Sequence, residues 1–214
     1  MKLLVFGASG ATGQRIVAEA DRRGHEVVAF MRGDPRAALP ARQIIRGDAT
    51  SATDVDAAIA TGCDVVISAL GARSLKKTRL LETTTKAIIH AMQRNRMSRL
   101  IELSAAGTFG IPKASRISFR ERVMFEVLRR TVLRNSFDDH AVADRMVHDS
   151  ELNWTIVQPP ELTDGPPCGY GISVEGLGRG GAVSRSDVAA AIIDIMETGS
   201  FIQQSPFVFR SSTC

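Results

Sequence analysis

Tyrosine and tryptophan each occur once in these 214 residues, and aromatic residues make up 5% of the chain. The lone tyrosine is Tyr170, and Val174 stands four positions further on. A tyrosine general acid activated by a lysine one helical turn later is therefore excluded, and with it the usual chemistry of alcohols and ketones. Cysteine is also scarce. Cys63, Cys168 and Cys214 form no C-x-x-C pair, an odd set that argues against a disulfide framework or a zinc site and predicts a reducing cytoplasm. No apolar run approaches the roughly 20 residues needed to cross a bilayer. The first such run, Met1 to Phe6, is too short for the core of a signal peptide and reads as a strand.

What is present is the composition of a globular protein, 44% hydrophobic and 23% charged, in a length that suits one domain over 1–214. The net charge of +4 permits contact with an anion, and a dinucleotide phosphate satisfies it as well as a nucleic acid would. No aromatic platform or helix-turn-helix accompanies the arginines, so nucleic acid is not expected as a partner.

Apolar, β-branched runs recur at Leu3–Phe6, Val27–Met31, Gln43–Ile45, Val65–Ala69, Leu100–Leu103, Thr155–Val157 and Phe207–Phe209. Between them lie helical patterns over 12–23, 53–60, 78–95, 117–133, 137–150 and 186–197. This alternation predicts an α/β fold, a doubly wound parallel sheet of the Rossmann type with helices on both faces. Ser51-x-x-Asp54 reads as a capping box and Gly62 as a stop for the helix between them. The stretch 159–182 is rich in proline and glycine and reads as a loop region with one short strand, Tyr170–Val174. It begins at the carboxyl end of a strand, where ligands bind in open α/β sheets, so it is assigned to the substrate side; an irregular surface connection is the alternative.

Directly after the first strand comes Gly7-Ala8-Ser9-Gly10-Ala11-Thr12-Gly13, and a helical pattern follows. A pyrophosphate needs a tight turn, a backbone it can touch and a helix N-terminus aimed at its charge, and this G-x-x-G-x-x-G segment offers all three. The second strand ends near Arg32, where an NAD-specific protein usually places an acid on the ribose 2′-hydroxyl. A guanidinium there can pair with a 2′-phosphate, with Arg36 as a second cation, so NADPH is expected over NADH. Two alternatives stay open: Arg32 as a solvated arginine, and Asp34 as the missing acid on a longer strand. Gly47-Asp48-Ala49 after the third strand and Ala69-Leu70-Gly71 after the fourth face the same crevice, although such residues also make plain turns.

These segments, with LSAAG at 103–107, DDH at 138–140, QPPELTDGPP at 158–167 and SRSDVAAAI at 184–192, resemble the atypical short-chain dehydrogenase/reductases. Within that group the chain looks most like the biliverdin reductase B or flavin reductase branch of the NmrA-like NAD(P)-binding proteins. The resemblance covers essentially the whole chain. It implies an NADPH-dependent reductase of flavins, quinones or tetrapyrroles, working as a small single domain, a monomer or small homo-oligomer. It also implies an active-site serine at Ser104 and a place near the cofactor for His140. Two departures stand out. That relative has histidine after its paired prolines where this chain has Glu161 after Pro159 and Pro160, and the loop at 107–120 has little likeness to it.

Ser104 ends the fifth strand, where its hydroxyl can donate to a substrate carbonyl or ring nitrogen, or simply cap the strand. His140 is expected in the first turn of a helix begun by Ser136, where the helix dipole favours neutral imidazole. With Asp144 and His148 it forms an i, i+4, i+8 row, read as a solvated row because no further metal ligand is evident. Pro159 and Pro160 stiffen the chain and place Glu161 beside the nicotinamide pocket. A flavin needs little beyond a hydride donor, so the missing general acid is no obstacle. The alternative is a non-catalytic NADP(H) sensor acting through a partner, with arginines 116, 120, 122, 129, 130 and 134 as either its contact surface or a solvated face.

Overall fold

In the computed structural model the described residues are 1–33, 38–71, 78–131, 133–178 and 181–211. The strands β1 (Lys2–Phe6), β2 (Glu26–Met31), β3 (Gln43–Arg46), β4 (Val65–Ser68), β5 (Arg99–Leu103) and β6 (Asn153–Val157) form one parallel sheet in the order β3-β2-β1-β4-β5-β6. Side chains alternate across a strand, and here both faces are covered. Leu3, Val5 and Ile101 pack beneath α1 (Ala11–Arg22) and α6 (Arg185–Thr198). Leu4, Phe6 and Leu100 pack beneath α2 (Ala52–Ile59), α3 (Leu80–Arg94) and α5 (Arg134–His148). Burial on both sides explains why these strands read as continuous apolar runs. The sheet is the doubly wound Rossmann arrangement, and its strand order reverses between β1 and β4.

One run departs from the expected sheet. Phe207–Phe209 lies in β10 (Phe207–Arg210), which pairs antiparallel with β8 (Tyr170–Ser173) in a separate ribbon. The ring of Phe209 occupies the space that side chains at Gly171 and Gly178 would need, 2.6 and 2.2 Å from ideal Cβ positions there. The glycine-rich stretch is thereby packed down by an aromatic residue far along the chain. Two further short strands, β7 (Leu162–Thr163) and β9 (Val183–Ser184), pair in parallel.

Local signals hold in part. Ser51 accepts the amide of Asp54, but the Asp54 carboxylate turns to the amide of Asp48 at 2.8 Å instead of completing the box. A reciprocal box forms where it was not anticipated: Ser118 and Glu121 cap α4 (Phe119–Arg130). The helix carrying His140 starts at Arg134 rather than Ser136, which moves His140 into the second turn and away from the strongest part of the dipole. Cys63 is free, but Cys168 is disulfide-bonded, so cysteine usage no longer argues for a reducing compartment. No helix among the described residues is long and apolar enough to cross a membrane.

Candidate functional site

The turn after β1 is built on backbone proximity. Gly7 adopts φ +75°, and the Gly10 amide closes the turn on the Gly7 carbonyl at 2.9 Å. A Cβ on Gly7 would come within 2.7 Å of the Ala69 carbonyl oxygen. Gln14 reaches back to donate to the Ser9 carbonyl at 2.9 Å, pinning the loop to the helix it opens. Within the motif the roles divide: Ala8, Thr12 and Gly13 are buried against the sheet, while Gly7, Ser9 and Gly10 face a cleft. Gly10 is the N-cap of α1 and brings no side-chain cap, and Ala11 beside it is exposed. The amides of that first turn are left for an anion, and the small residues let it approach.

The cleft is about 390 Å³ and lies where the strand order reverses. Its other walls are Arg32 after β2, Gly47, Asp48 and Ala49 after β3, Ala69, Leu70 and Gly71 after β4, and Leu80 and Thr84 of α3. Asp48 accepts the Thr50 amide at 2.9 Å and hydroxyl at 2.7 Å. Those bonds, with a smaller contribution from the Arg32 charge, hold its carboxylate below the usual range. Arg32 is exposed at this wall. Arg36 and Asp34, the two neighbours weighed with it, lie outside the described residues.

Ser104, His140, Pro159, Pro160 and Glu161 are not on the walls of this cleft; Ser104 follows β5, Pro159, Pro160 and Glu161 follow β6, and His140 lies on α5. The Ser104 amide donates to Val157 at 2.9 Å, and the Ala106 amide donates to Pro159 at 2.8 Å, which ties the two strand ends together. Pro160 is half-buried, and Glu161 is exposed with its carbonyl accepting from Val183 at 2.9 Å. The Ser104 hydroxyl lies 2.7 Å from Asp144 Oδ2 on α5 and 3.4 Å from the Thr108 hydroxyl. His140 is one turn before Asp144 and half-buried; burial lowers its pKa, against the opposing charge of Asp139, so it is neutral for a different reason than the dipole.

The expected surface row dissolves: Asp144 is 0% exposed while His148 stands in solvent. Three acids that sequence reasoning did not assign to the site emerge instead. Glu102, two residues before Ser104 on β5, is 2% exposed. Burial, then the Asp144 charge, push its carboxyl up to about 8. Burial pushes Asp144 up to about 7, against hydrogen bonds from Ser104 and Thr108. Asp139 accepts the Thr78 hydroxyl at 2.8 Å and the Leu81 and Glu82 amides at 3.3 and 3.4 Å, capping α3 from α5. A glutamate inside the apolar run Leu100–Leu103 was the available signal, since unpaired acids are seldom buried. Tyr170 is remote from these groups and donates its hydroxyl to Asp194 on α6.

Known proteins share this chain's fold and parts of its sequence. A Bacillus subtilis (strain 168) protein, the uncharacterized sugar epimerase YhfK, is 28% identical over 201 residues, spanning 90% of this chain and 86% of its own. A Streptococcus pneumoniae TIGR4 structure described provisionally as an NADH-flavin reductase superposes with a TM-score of 0.79 at 26% identity, covering 99% of this chain and 100% of that one. A Veillonella parvula DSM 2008 short-chain dehydrogenase/reductase in complex with NADP shares the fold, with a TM-score of 0.79 at 21% identity over 99% of this chain and 95% of its own. The model of a family described as NAD(P)H-binding matches residues 7–198, and the chain belongs to that family.

Proposed function

We propose that this protein is an NADPH-dependent reductase that passes hydride from the nicotinamide to a flavin, a quinone or a related conjugated acceptor. The observation that carries the reading is a dinucleotide cleft with Arg32 on its wall and a serine hydroxyl, Ser104, at the next strand end. The uncapped first-turn amides after Gly10 and the small residues around them fit a pyrophosphate, and Arg32 fits a 2′-phosphate. Asp48 and Ala49 would border the adenosine, and Ala69, Leu70 and Gly71 the nicotinamide ribose. Ser104 would face the acceptor, with His140, Pro159, Pro160 and Glu161 around it. Bound nicotinamide supplies the hydride, and the protein supplies alignment and a site shielded from water. Metal plays no part in this reading. Because NADPH is an intracellular reductant, a cytoplasmic monomer or small homo-oligomer belongs to the same proposal.

The stretch 159–182 forms the acceptor side in this reading. Sugar epimerisation is a poorer account, because Tyr170 is engaged with Asp194 and has no lysine partner in the Tyr-x-x-x-Lys spacing. One observation favours a second reading, an NADP(H) sensor of the NmrA-like type: Phe119, Val123, Met124 and Val127 are exposed on α4, an apolar face suited to a partner protein. The deciding experiment follows NADPH oxidation with FMN, quinones and biliverdin. Turnover with a flavin or quinone supports the reductase. Tight NADPH binding without turnover of any acceptor supports the sensor.

A further inference from the structure

We propose that Glu102 and Asp144 form a buried carboxyl pair that passes a proton through Ser104 to the acceptor, and that the site is thereby matched to conjugated carbonyl acceptors of the quinone or enone type more than to flavins. This rests on the reductase reading above.

The geometry begins with alternation along β5. Leu100, Glu102 and Ser104 share one face of the strand, the face that Ile88 and Met92 of α3 and Val147 of α5 cover. In that apolar layer Asp144 places Oδ2 against the Ser104 hydroxyl, and Asp144 Oδ1 has no hydrogen-bond partner among the described residues. Glu102 Oε2 and the Ser68 hydroxyl on β4 are likewise buried without a well-formed hydrogen bond, although Ser68 lies near enough to Glu102 to lower its pKa slightly against burial. Among the described residues, Glu102 and Asp144 oppose each other's ionisation by like charge, and no countercharge is found at either. His140, next along α5, is neutral by burial, with Asp139 beside it. Two ionised carboxylates with hydroxyl donors but no countercharge among the described residues are strongly disfavoured in such a layer, so the pair retains a proton near neutrality.

That proton has a path. When Asp144 is ionised Ser104 donates to it; when Asp144 is protonated the same contact reverses, and the freed Ser104 O–H can donate outward. With a reduced nicotinamide dinucleotide as reductant, a quinone accepts hydride, two electrons in all, and negative charge develops on its carbonyl oxygen. Ser104 gives its proton to that oxygen, and Asp144 gives its own to Ser104. After the product leaves, the pair takes one proton back from water. The sum is acceptor plus NADPH plus one proton, giving reduced acceptor plus NADP⁺. A flavin that accepts hydride at N5 can keep the remaining charge as an anion at N1 and makes no such demand.

The first test uses the cofactor-free protein and the infrared C=O stretch of protonated carboxyl groups. Wild type should retain that band at neutral pH, and Asp144→Asn and Glu102→Gln, both close in shape, should diminish it. Absence of the band in wild type overturns the relay alone. The second test is single-turnover oxidation of NADPH by a water-soluble naphthoquinone and, separately, by FMN. Asp144→Asn should slow the quinone reaction about a hundredfold and remove its pH dependence and solvent isotope effect, with the FMN rate and NADPH affinity held within about twofold. Ser104→Ala should likewise slow the quinone reaction and remove its pH dependence and solvent isotope effect, which keeps the test available if an acid variant does not fold. An unchanged quinone rate overturns the relay, and an equal loss with both acceptors overturns the selection of carbonyls. If wild type turns over no acceptor at all, the reductase reading falls, whatever the infrared band shows.

Discussion

A Cβ placed on Gly13 would lie 2.2 Å from the carbonyl oxygen of Gly7. The first helix is therefore seated on the turn as closely as backbone allows, and the position admits hydrogen alone. Gly13→Ala must push α1 outward, which should destabilise the fold by about 1–3 kcal/mol and weaken NADPH binding together. Thermal unfolding and a cofactor titration check this; unchanged values for both would show that the turn has room to give.

Arg32 should set the choice of cofactor. A contact between it and a 2′-phosphate would be worth on the order of 1.5–3 kcal/mol, so NADPH should bind at least about tenfold more tightly than NADH. Arg32→Asp should weaken NADPH and improve NADH. Equal dissociation constants for the two nucleotides in the wild-type protein would rule the assignment out.

The buried acids make stability depend on pH. Glu102 rises from 4.5 to about 8 and Asp144 from 3.8 to about 7 on folding. The folded state then binds more protons than the unfolded chain in that interval. The contribution is complete below the unfolded values and is lost as pH rises through 7 and 8. Denaturant midpoints should fall across this window in wild type and fall less in Glu102→Gln. A variant as steep as wild type would mean that Glu102 does not carry the proton.

Glu161 bears on tetrapyrroles. An exposed carboxylate just beyond β6 would meet the propionates of biliverdin with like charge. Biliverdin reduction should be weak beside flavin reduction, and Glu161→His should raise it selectively. Initial rates with both acceptors provide the measurement; a substitution that moves neither rate removes Glu161 from the acceptor side.

Much of the architecture was legible because a parallel sheet buries both faces, so Leu3–Phe6 and Val65–Ser68 announce themselves by composition, and the seven-residue glycine turn has a fixed place after the first strand. Pairing partners were less legible. Nothing local in Phe207–Phe209 says that it runs antiparallel to Tyr170–Ser173, because that is decided by which glycines accept the Phe209 ring. The site divided in the same way. Gly7, Ser9, Gly10, Arg32 and Asp48 follow from strand ends, which sequence marks well. Asp144 sat in a surface-like row because helical spacing identifies a face but not what covers it. Glu102 was absorbed into an apolar run, where its charge should have counted for more than its neighbours.

Two of the carboxylates on helix α5 have different duties: Asp139 holds the amides that open α3, and Asp144, five residues on, holds Ser104. The start of α3 in turn supplies Leu80 and Thr84 to the nucleotide cleft. One rigid rod thus touches both halves of the site, and a displacement that improved one contact would strain the other. If nucleotide and acceptor bind at these two places, α5 would link them: whichever binds first would settle α5 for the second, and the two affinities would change by the same factor.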